Sequence, residues 1–443
     1  MKTFLRRTPL LALGATLALS ACVGDGDELT STLPPAAVGG DLFARYVALG
    51  NSITAGYQSN AIRDSTQTRS YPVFLAAKAQ ASFNVPRVTG TGCPRYFIGP
   101  FRPDTIQSVP GGPCVRLTDP TFVQNLAVPG ERIADLVRFP TAPQLQSLNT
   151  LLIGPRTQAN AMIASAPTFV SVWIGNNDAL EATVGGLLGP TPTRADSSLT
   201  PLSAFQASLN ALVDSIKVAN PQGAMLIGVV DAIDAAPIVQ PGAYFFLAAQ
   251  STAGRFQGKL VNANCSPLTA TGQPNPLSRN FVSFQIVSSA IPEISCDPAQ
   301  AAGGGAFLLD AAEIATIKAR IAAYNSLIEA AATANNWLYV NPNTILAQYL
   351  PTRNPANTGP FTRLRKCQLL ASANTAALLQ AAVQLSCPAP TSTVVGAPIQ
   401  LGTLMSFDGV HPSTEAHQVI AEHFARAINA KYGTALPANP PAS

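Results

Sequence analysis

No run of like charge and no basic stripe interleaved with aromatics occurs along the 443 residues, so the chain lacks the electrostatic footprint that a nucleic-acid partner requires. Cysteine never occurs as C-x-x-C, and no His/Cys cluster has metal-ligand spacing, which argues against zinc or any other bound metal. Histidine is scarce: the three are His411, His417 and His423. His417 and His423 fall on one helical pattern about 240° apart around its axis, on different faces, which disfavours a metal pair. His423 shares a face with Ala416, Val419, Ile420 and Ala427 and reads as a core-edge residue. That leaves His411 as the good candidate for a general base. No internal repeat is visible.

What the chain does have begins at its N-terminus. Lys2, Arg6 and Arg7 precede an apolar run from Pro9 to Leu19, followed by Leu19-Ser20-Ala21-Cys22. The run is too short to span a membrane and has the layout of a secretory signal peptide over residues 1–21. Its end resembles a bacterial lipobox, in which the cysteine, here Cys22, becomes the acylated N-terminus. Residues 22–40, small, polar and punctuated by Pro and Gly, then read as a flexible tether. The catalytic body is thus expected to hang from a membrane through lipid alone, two or more acyl chains being needed for stable attachment. Val23 stands where many Gram-negative lipoproteins retained in the inner membrane have aspartate, so the outer membrane is favoured. Removing Lys2, Arg6 and Arg7 from the 27 Lys+Arg leaves 24 against 23 Asp+Glu, a mature charge of +1.

Setting Cys22 aside, six cysteines remain, and they fall into three sequence-local pairs within turn-rich stretches. Nearest-neighbour bridges are expected: Cys93–Cys114, Cys265–Cys296 and Cys367–Cys387, in keeping with an oxidising compartment. Each pair marks an insertion, near 83–120, 240–310 and 350–400. The length suggests several domains, but the motifs below must converge, so 41–433 reads as one domain with insertions, followed by a tail at 434–443.

Between the insertions, strands alternate with helices. Tyr46–Leu49, Phe169–Ile174, Met225–Val230 and Trp337–Val340 are short apolar runs of the kind that form buried strands. Leu202–Val218, Ala311–Asn335 and Thr414–Tyr432 read as helices, the last with Ser413 as its N-cap. The alternation predicts an α/β fold with a parallel sheet covered on both faces, whose ligands bind at the carboxyl ends of the strands.

Four motifs stand in order along this framework. Gly50-Asn51-Ser52 follows the first strand and can expose a hydroxyl, although by itself a turn explains it more simply; it is not the G-x-S-x-G elbow, because Thr54 replaces the second glycine. Asn125-Leu126-Ala127-Val128-Pro129-Gly130 reads as a polar loop. Gly175-Asn176-Asn177-Asp178 places side-chain amides at a strand terminus, where they suit an oxyanion site or, equally, a tight turn. Asp408-Gly409-Val410-His411 lets one local loop supply a histidine and the carboxylate that orients its Nδ1–H.

Taken together, G-N-S-I, N-x-A-x-x-G, G-x-N-D and D-x-x-H resemble the motif set of the SGNH (GDSL-type) hydrolases, from Gly50 to His411. The resemblance implies a three-layer, flavodoxin-like α/β/α sandwich with a parallel central sheet, no metal or cofactor, and catalysis through an acyl-enzyme. It implies Ser52 as nucleophile, His411 as base, Asp408 as its orienting acid, and an oxyanion hole formed by the N–H groups of Ser52 and Gly130 with the Asn177 side chain. Asn51 stands in place of the usual aspartate and Ile53 in place of the usual leucine, which puts local hydrogen bonding in question more than catalysis. The implied activity is hydrolysis of a small-molecule, lipid or glycan ester. The alternatives are a carbohydrate O-acyl esterase acting on surface polysaccharide and a binding lipoprotein that keeps the fold without catalysis.

Overall fold

A computed structural model describes residues 39–88, 93, 96–97, 108–109, 114–117, 122–191, 194–251, 256, 258–350, 363–364, 366–367, 375, 377–378 and 401–439. Cys22, the signal peptide, most of the tether, and nearly all of the 350–400 insertion with Cys387 lie outside these residues.

The four apolar runs become β1 (Tyr46–Gly50), β2 (Phe169–Trp173), β3 (Gly223–Ile227) and β4 (Leu338–Val340). They pair in parallel in that order, with Tyr46 beside Phe169, Phe169 beside Gly223 and Leu338 beside Met225. Alternate residues face opposite layers, and because both faces are covered the runs are apolar throughout. Val47, Leu49, Val170, Val172, Ala224 and Leu226 pack on one face. That layer includes α3 (Gln158–Ala164), α5 (Leu202–Ala219) and α6 (Ala311–Ala334). Tyr46, Phe169, Trp173, Met225 and Ile227 pack on the other, beneath α2 (Tyr71–Lys78) and α7 (Thr414–Tyr432). The result is an α/β/α sandwich with a parallel central sheet.

Helix ends follow their sequence signals. Asp310 and Glu313 cap α6 reciprocally, Glu313 N–H donating to Asp310 at 2.8 Å and Asp310 N–H to Glu313 at 3.0 Å. Ser413 accepts from Ala416 N–H at 3.2 Å to start α7, and Gly433, with φ +67°, ends it.

Two features differ from the sequence expectation. Asn125–Gly130, read as a loop, begins by extending the sheet along the free edge of β1: Ala48 N–H donates to Gln124 O, Leu126 N–H to Ala48 O and Val128 N–H to Gly50 O, at 2.9, 2.8 and 3.2 Å. The 240–310 insertion, read as turn-rich chain stapled by a bridge, has a core of its own, in which Tyr244, Phe245, Phe256 and Phe284 are buried around an antiparallel sheet of Val239–Pro241, Phe281–Ser283 and Leu308–Leu309. In the 434–443 tail, Leu436 is buried against the α2–α7 layer.

Cys93 is bonded to Cys114 and Cys265 to Cys296, the latter pair inside the aromatic core of the insertion. Cys367 is disulfide-bonded; its expected partner, Cys387, is outside the described residues. Among the described residues no helix is long and apolar enough to cross a membrane.

Candidate active site

The site forms at the carboxyl ends of β1 and β2. Residue 50 must be glycine, since a Cβ there would lie 2.3 Å from Thr54 Oγ1 and 2.6 Å from the Trp173 carbonyl. The chain then turns through Asn51 into the short helix α1 (Ser52–Ala55), with Asn51 Oδ1 accepting from Ile53 N–H at 3.3 Å. Asn51 thus does with its amide oxygen what a carboxylate would do at this cap, while its Nδ2 is buried without an acceptor among the described residues.

Two residues far along the chain, Asp408 and His411, meet Ser52. His411 Nε2 is 2.9 Å from Ser52 Oγ, and His411 Nδ1 is 2.9 Å from Asp408 Oδ2. Gly409, at φ +71°, makes the turn that sets the carboxylate beside the ring. Asp408 Oδ1 accepts from Val410 N–H and His411 N–H at 2.9 Å each and from Ser406 Oγ at 3.0 Å; Oδ2 accepts from Asn60 N–H at 2.9 Å. Burial alone would raise the Asp408 carboxyl, but the neighbouring His411 ring and the hydrogen bonds from His411 and Asn60 outweigh it and hold the group at about 2. It is therefore an anion at neutral pH, which fixes the ring with Nδ1–H toward Asp408 and leaves Nε2 able to accept the Ser52 proton.

The cleft lined by Ser52 and His411 also holds a set of donors. Ser52 N–H and Gly130 N–H meet no hydrogen-bond acceptor among the described residues. Gly130 holds φ +89°, a backbone setting that glycine adopts without the steric cost of a side chain. Asn177, at the start of the helix Asn177–Gly185, donates one amide hydrogen to the Glu131 carbonyl at 2.8 Å and has a second to give. Ser52, Gly130, Asn177 and His411 line a single cleft. Its walls come from Tyr57, Leu148, Leu180, Ile238 and Phe284, together with the Cys93–Cys114 bridge, so two of the insertions reach the site.

The other two histidines stay away from it. His417 is fully buried and accepts from Tyr71 N–H at 3.2 Å; burial, then the nearby His411, push it down to about 3. His423 Nε2 is 3.3 Å from Tyr349 Oη. Sequence reading missed Asn60 and Ser406, which back Asp408, and the buried group formed by Glu131, Asn149 and Gln158. Glu131 follows Gly130 directly, so its position was a signal; Gln158 sits in an ordinary helix start and gave none.

The GDSL-like Lipase/Acylhydrolase family profile matches residues 46–424. No curated protein matches the chain in sequence. Among solved structures, an alpha/beta hydrolase from the metagenome of Lake Arreo, Spain, is 13% identical with TM-score 0.36, over 90% of this chain and 100% of that one. A catalytic mutant of an acetylxylan esterase from Geobacillus stearothermophilus is 13% identical with TM-score 0.34, over 86% and 93%. An extracellular lipase from Streptomyces rimosus is 14% identical with TM-score 0.33, over 86% and 98%. The profile takes in the sheet and the segments bearing Ser52, Gly130, Asn177, Asp408 and His411, and on that match the chain belongs to the GDSL-like lipase/acylhydrolase family, whose members hydrolyse carboxylic esters.

Proposed function

We propose that this protein hydrolyses esters through Ser52, His411 and Asp408 by way of an acyl-enzyme, and that its substrates present an apolar group to the cleft. The observation that carries the reading is the continuous Ser52–His411–Asp408 chain, with 2.9 Å at each link, in one cleft with Ser52 and Gly130, whose N–H groups meet no acceptor among the described residues. His411 takes the Ser52 proton as Oγ attacks the ester carbonyl, and the carbonyl oxygen gathers negative charge against Ser52 N–H, Gly130 N–H and the Asn177 amide. The Oγ–acyl bond forms as the bond to the alcohol breaks, and His411 returns the proton to the departing alkoxide. Water then attacks the acyl-enzyme with His411 again accepting the proton, which releases the acid and restores Ser52. Asp408 keeps the ring in the required tautomer throughout.

Leu148, Leu180, Ile238 and Phe284 on the cleft walls favour an ester with an apolar acyl or alcohol portion over a sugar-lined one. Anchoring through an acylated Cys22, with the outer membrane as location, completes the proposal and rests on the lipobox-like Leu19-Ser20-Ala21-Cys22 and the tether after it.

Ser52→Ala tests the assignment. The variant should melt as the wild type does and lose p-nitrophenyl ester hydrolysis, while the wild type should work on acyl chains longer than acetyl. Wild-type turnover in Ser52→Ala would remove the nucleophile; activity confined to acetyl esters of sugars would transfer the enzyme to the carbohydrate esterases.

A further inference from the structure

The donors facing the cleft sit on three separate segments, and their value depends on being held in register before the reaction. The backbone ladder that joins two of those segments stops short of them. It ends at Val128 N–H donating to Gly50 O at 3.2 Å, and Pro129 has no N–H to continue it. Beyond that point side chains make the connection. Gln158 grips both backbone groups of Gly50, its Oε1 accepting from Gly50 N–H at 2.9 Å and its Nε2 donating to Gly50 O at 2.8 Å. The same Nε2 gives its other hydrogen to Glu131 Oε2 at 2.5 Å. Glu131 Oε1 accepts from Asn149 Nδ2 at 2.7 Å, and the Glu131 carbonyl accepts from the Asn177 amide at 2.8 Å. Gly50 is two residues before Ser52, and Glu131 immediately follows Gly130.

We propose that Glu131 is the positioning residue of the oxyanion pocket: its carboxyl group, through Gln158, registers the turn bearing Ser52 against Gly130, and its carbonyl aims the Asn177 amide. The inference rests on Ser52, Gly130 and Asn177 being the oxyanion donors of the proposed function. A fully buried carboxyl is a costly way to fill this space, and here it has a specific use, because a Glu side chain reaches Gln158 and Asn149 together while its own backbone holds the third donor. Burial pushes the group up to about 8, against the lowering effect of the Asn149 and Gln158 hydrogen bonds. Around neutral pH it is largely the uncharged acid. Asn149 Oδ1, which has no donor among the described residues, can receive the acid proton if the Asn149 amide is turned.

The geometry distinguishes two conservative variants. Glu131→Gln keeps the length and an oxygen for Gln158, and offers N–H to Asn149 Oδ1. Glu131→Asp keeps the acid but withdraws it from Gln158. With p-nitrophenyl acetate, Glu131→Gln should retain kcat within about threefold, and Glu131→Asp should lose about 10²-fold in kcat with KM little changed, the size of effect that a misplacement near 1 Å produces. Binding of a boronic acid, whose tetrahedral adduct with Ser52 uses the same donors, should weaken in Glu131→Asp in step with kcat. Gln158→Leu should show the same loss, and the double variant Glu131→Asp/Gln158→Leu should lose no more than either single one, because both act on one connection. Ser52→Ala is assayed alongside. If Ser52→Ala is inactive but folded Glu131→Asp turns over as the wild type does, or if the two losses add, the positioning role is wrong while the catalytic reading stands. If Ser52→Ala remains active, the catalytic reading itself fails and the positioning role with it.

Discussion

Asn176 and Asn177 are adjacent and chemically identical, and the structure gives them opposite uses, so replacing each by alanine should separate catalysis from stability. Asn177 spends one amide hydrogen on the Glu131 carbonyl at 2.8 Å, has a second to give and lines the cleft. Losing one oxyanion donor typically costs about 10²–10³ in kcat, or about 2.7–4 kcal/mol of transition-state stabilisation. The contact strengthens only as charge develops on the carbonyl oxygen, so KM should hardly move. Asn176 is 8% exposed, and its Oδ1 accepts from Val230 N–H at 2.9 Å beyond the end of β3. Asn176→Ala strands that N–H, which costs about 1–3 kcal/mol of folding stability but leaves every donor facing Ser52 in place. Steady-state kinetics on p-nitrophenyl acetate and thermal melts of both variants form the assay. Asn177→Ala should be slow and nearly as stable as the wild type; Asn176→Ala should be fast and less stable. A raised KM as the main defect of Asn177→Ala, or equal loss of kcat in both variants, would show that Asn177 has been misread.

The remaining predictions concern pH and location. Burial raises the folded Glu131 carboxyl from 4.5 to about 8, so as pH climbs through that window the unfolded chain gives up a proton that the folded protein keeps. Wild-type stability should therefore fall relative to Glu131→Gln, by an amount approaching about 5 kcal/mol at the alkaline end as an upper figure, and denaturant titrations of the two proteins from pH 4 to pH 9 should diverge upward in pH; parallel curves would refute it. Cys22→Ser should move the protein from the membrane fraction to the soluble fraction without altering its kinetics on soluble esters, and a wild type found wholly soluble would end the anchoring proposal.

The central sheet could be read from the sequence because β1, β2 and β3 are buried on both faces and so appear as largely unbroken apolar runs, as in Tyr46-Val47-Ala48-Leu49. The edge segment beside β1 could not. Gln124 and Asn125 make it look polar, yet they use their side chains on backbone that the ladder does not reach: Gln124 Nε2 donates to Tyr46 O at 3.1 Å, and Asn125 Nδ2 to Thr54 O at 2.8 Å. Periodicity sees a loop wherever polar side chains serve as extra rungs. The pairing of Asp408 with His411 was legible because they meet through a three-residue offset, whereas Gln158 reaches Gly50 across 108 residues from a helix start that looks like any other. The insertion at 240–310 hid its core for a related reason: Tyr244, Phe256, Val282 and Phe284 come from several short elements, and none is long enough to show a period.

That hidden core bears on the site through the loop of Asp408 and His411, since Val410 of that loop packs against it. Ile238 N–H donates to the Gly409 carbonyl at 2.9 Å, and a Cβ on Gly409 would approach Ile238 N to 3.2 Å. Ile238 also lines the cleft. The loop that holds Asp408 and His411 therefore rests on the same residue that forms part of the apolar wall. A change in this insertion that moved Ile238 would alter the cleft wall and the placement of His411 together, and Phe284 is tied to it because Phe284 N–H donates to Ile238 O at 2.8 Å, whereas a change at Ser288, also on the cleft wall, reshapes the wall alone. Substrate selectivity in this enzyme should accordingly be easier to vary from the far end of the insertion than from its root.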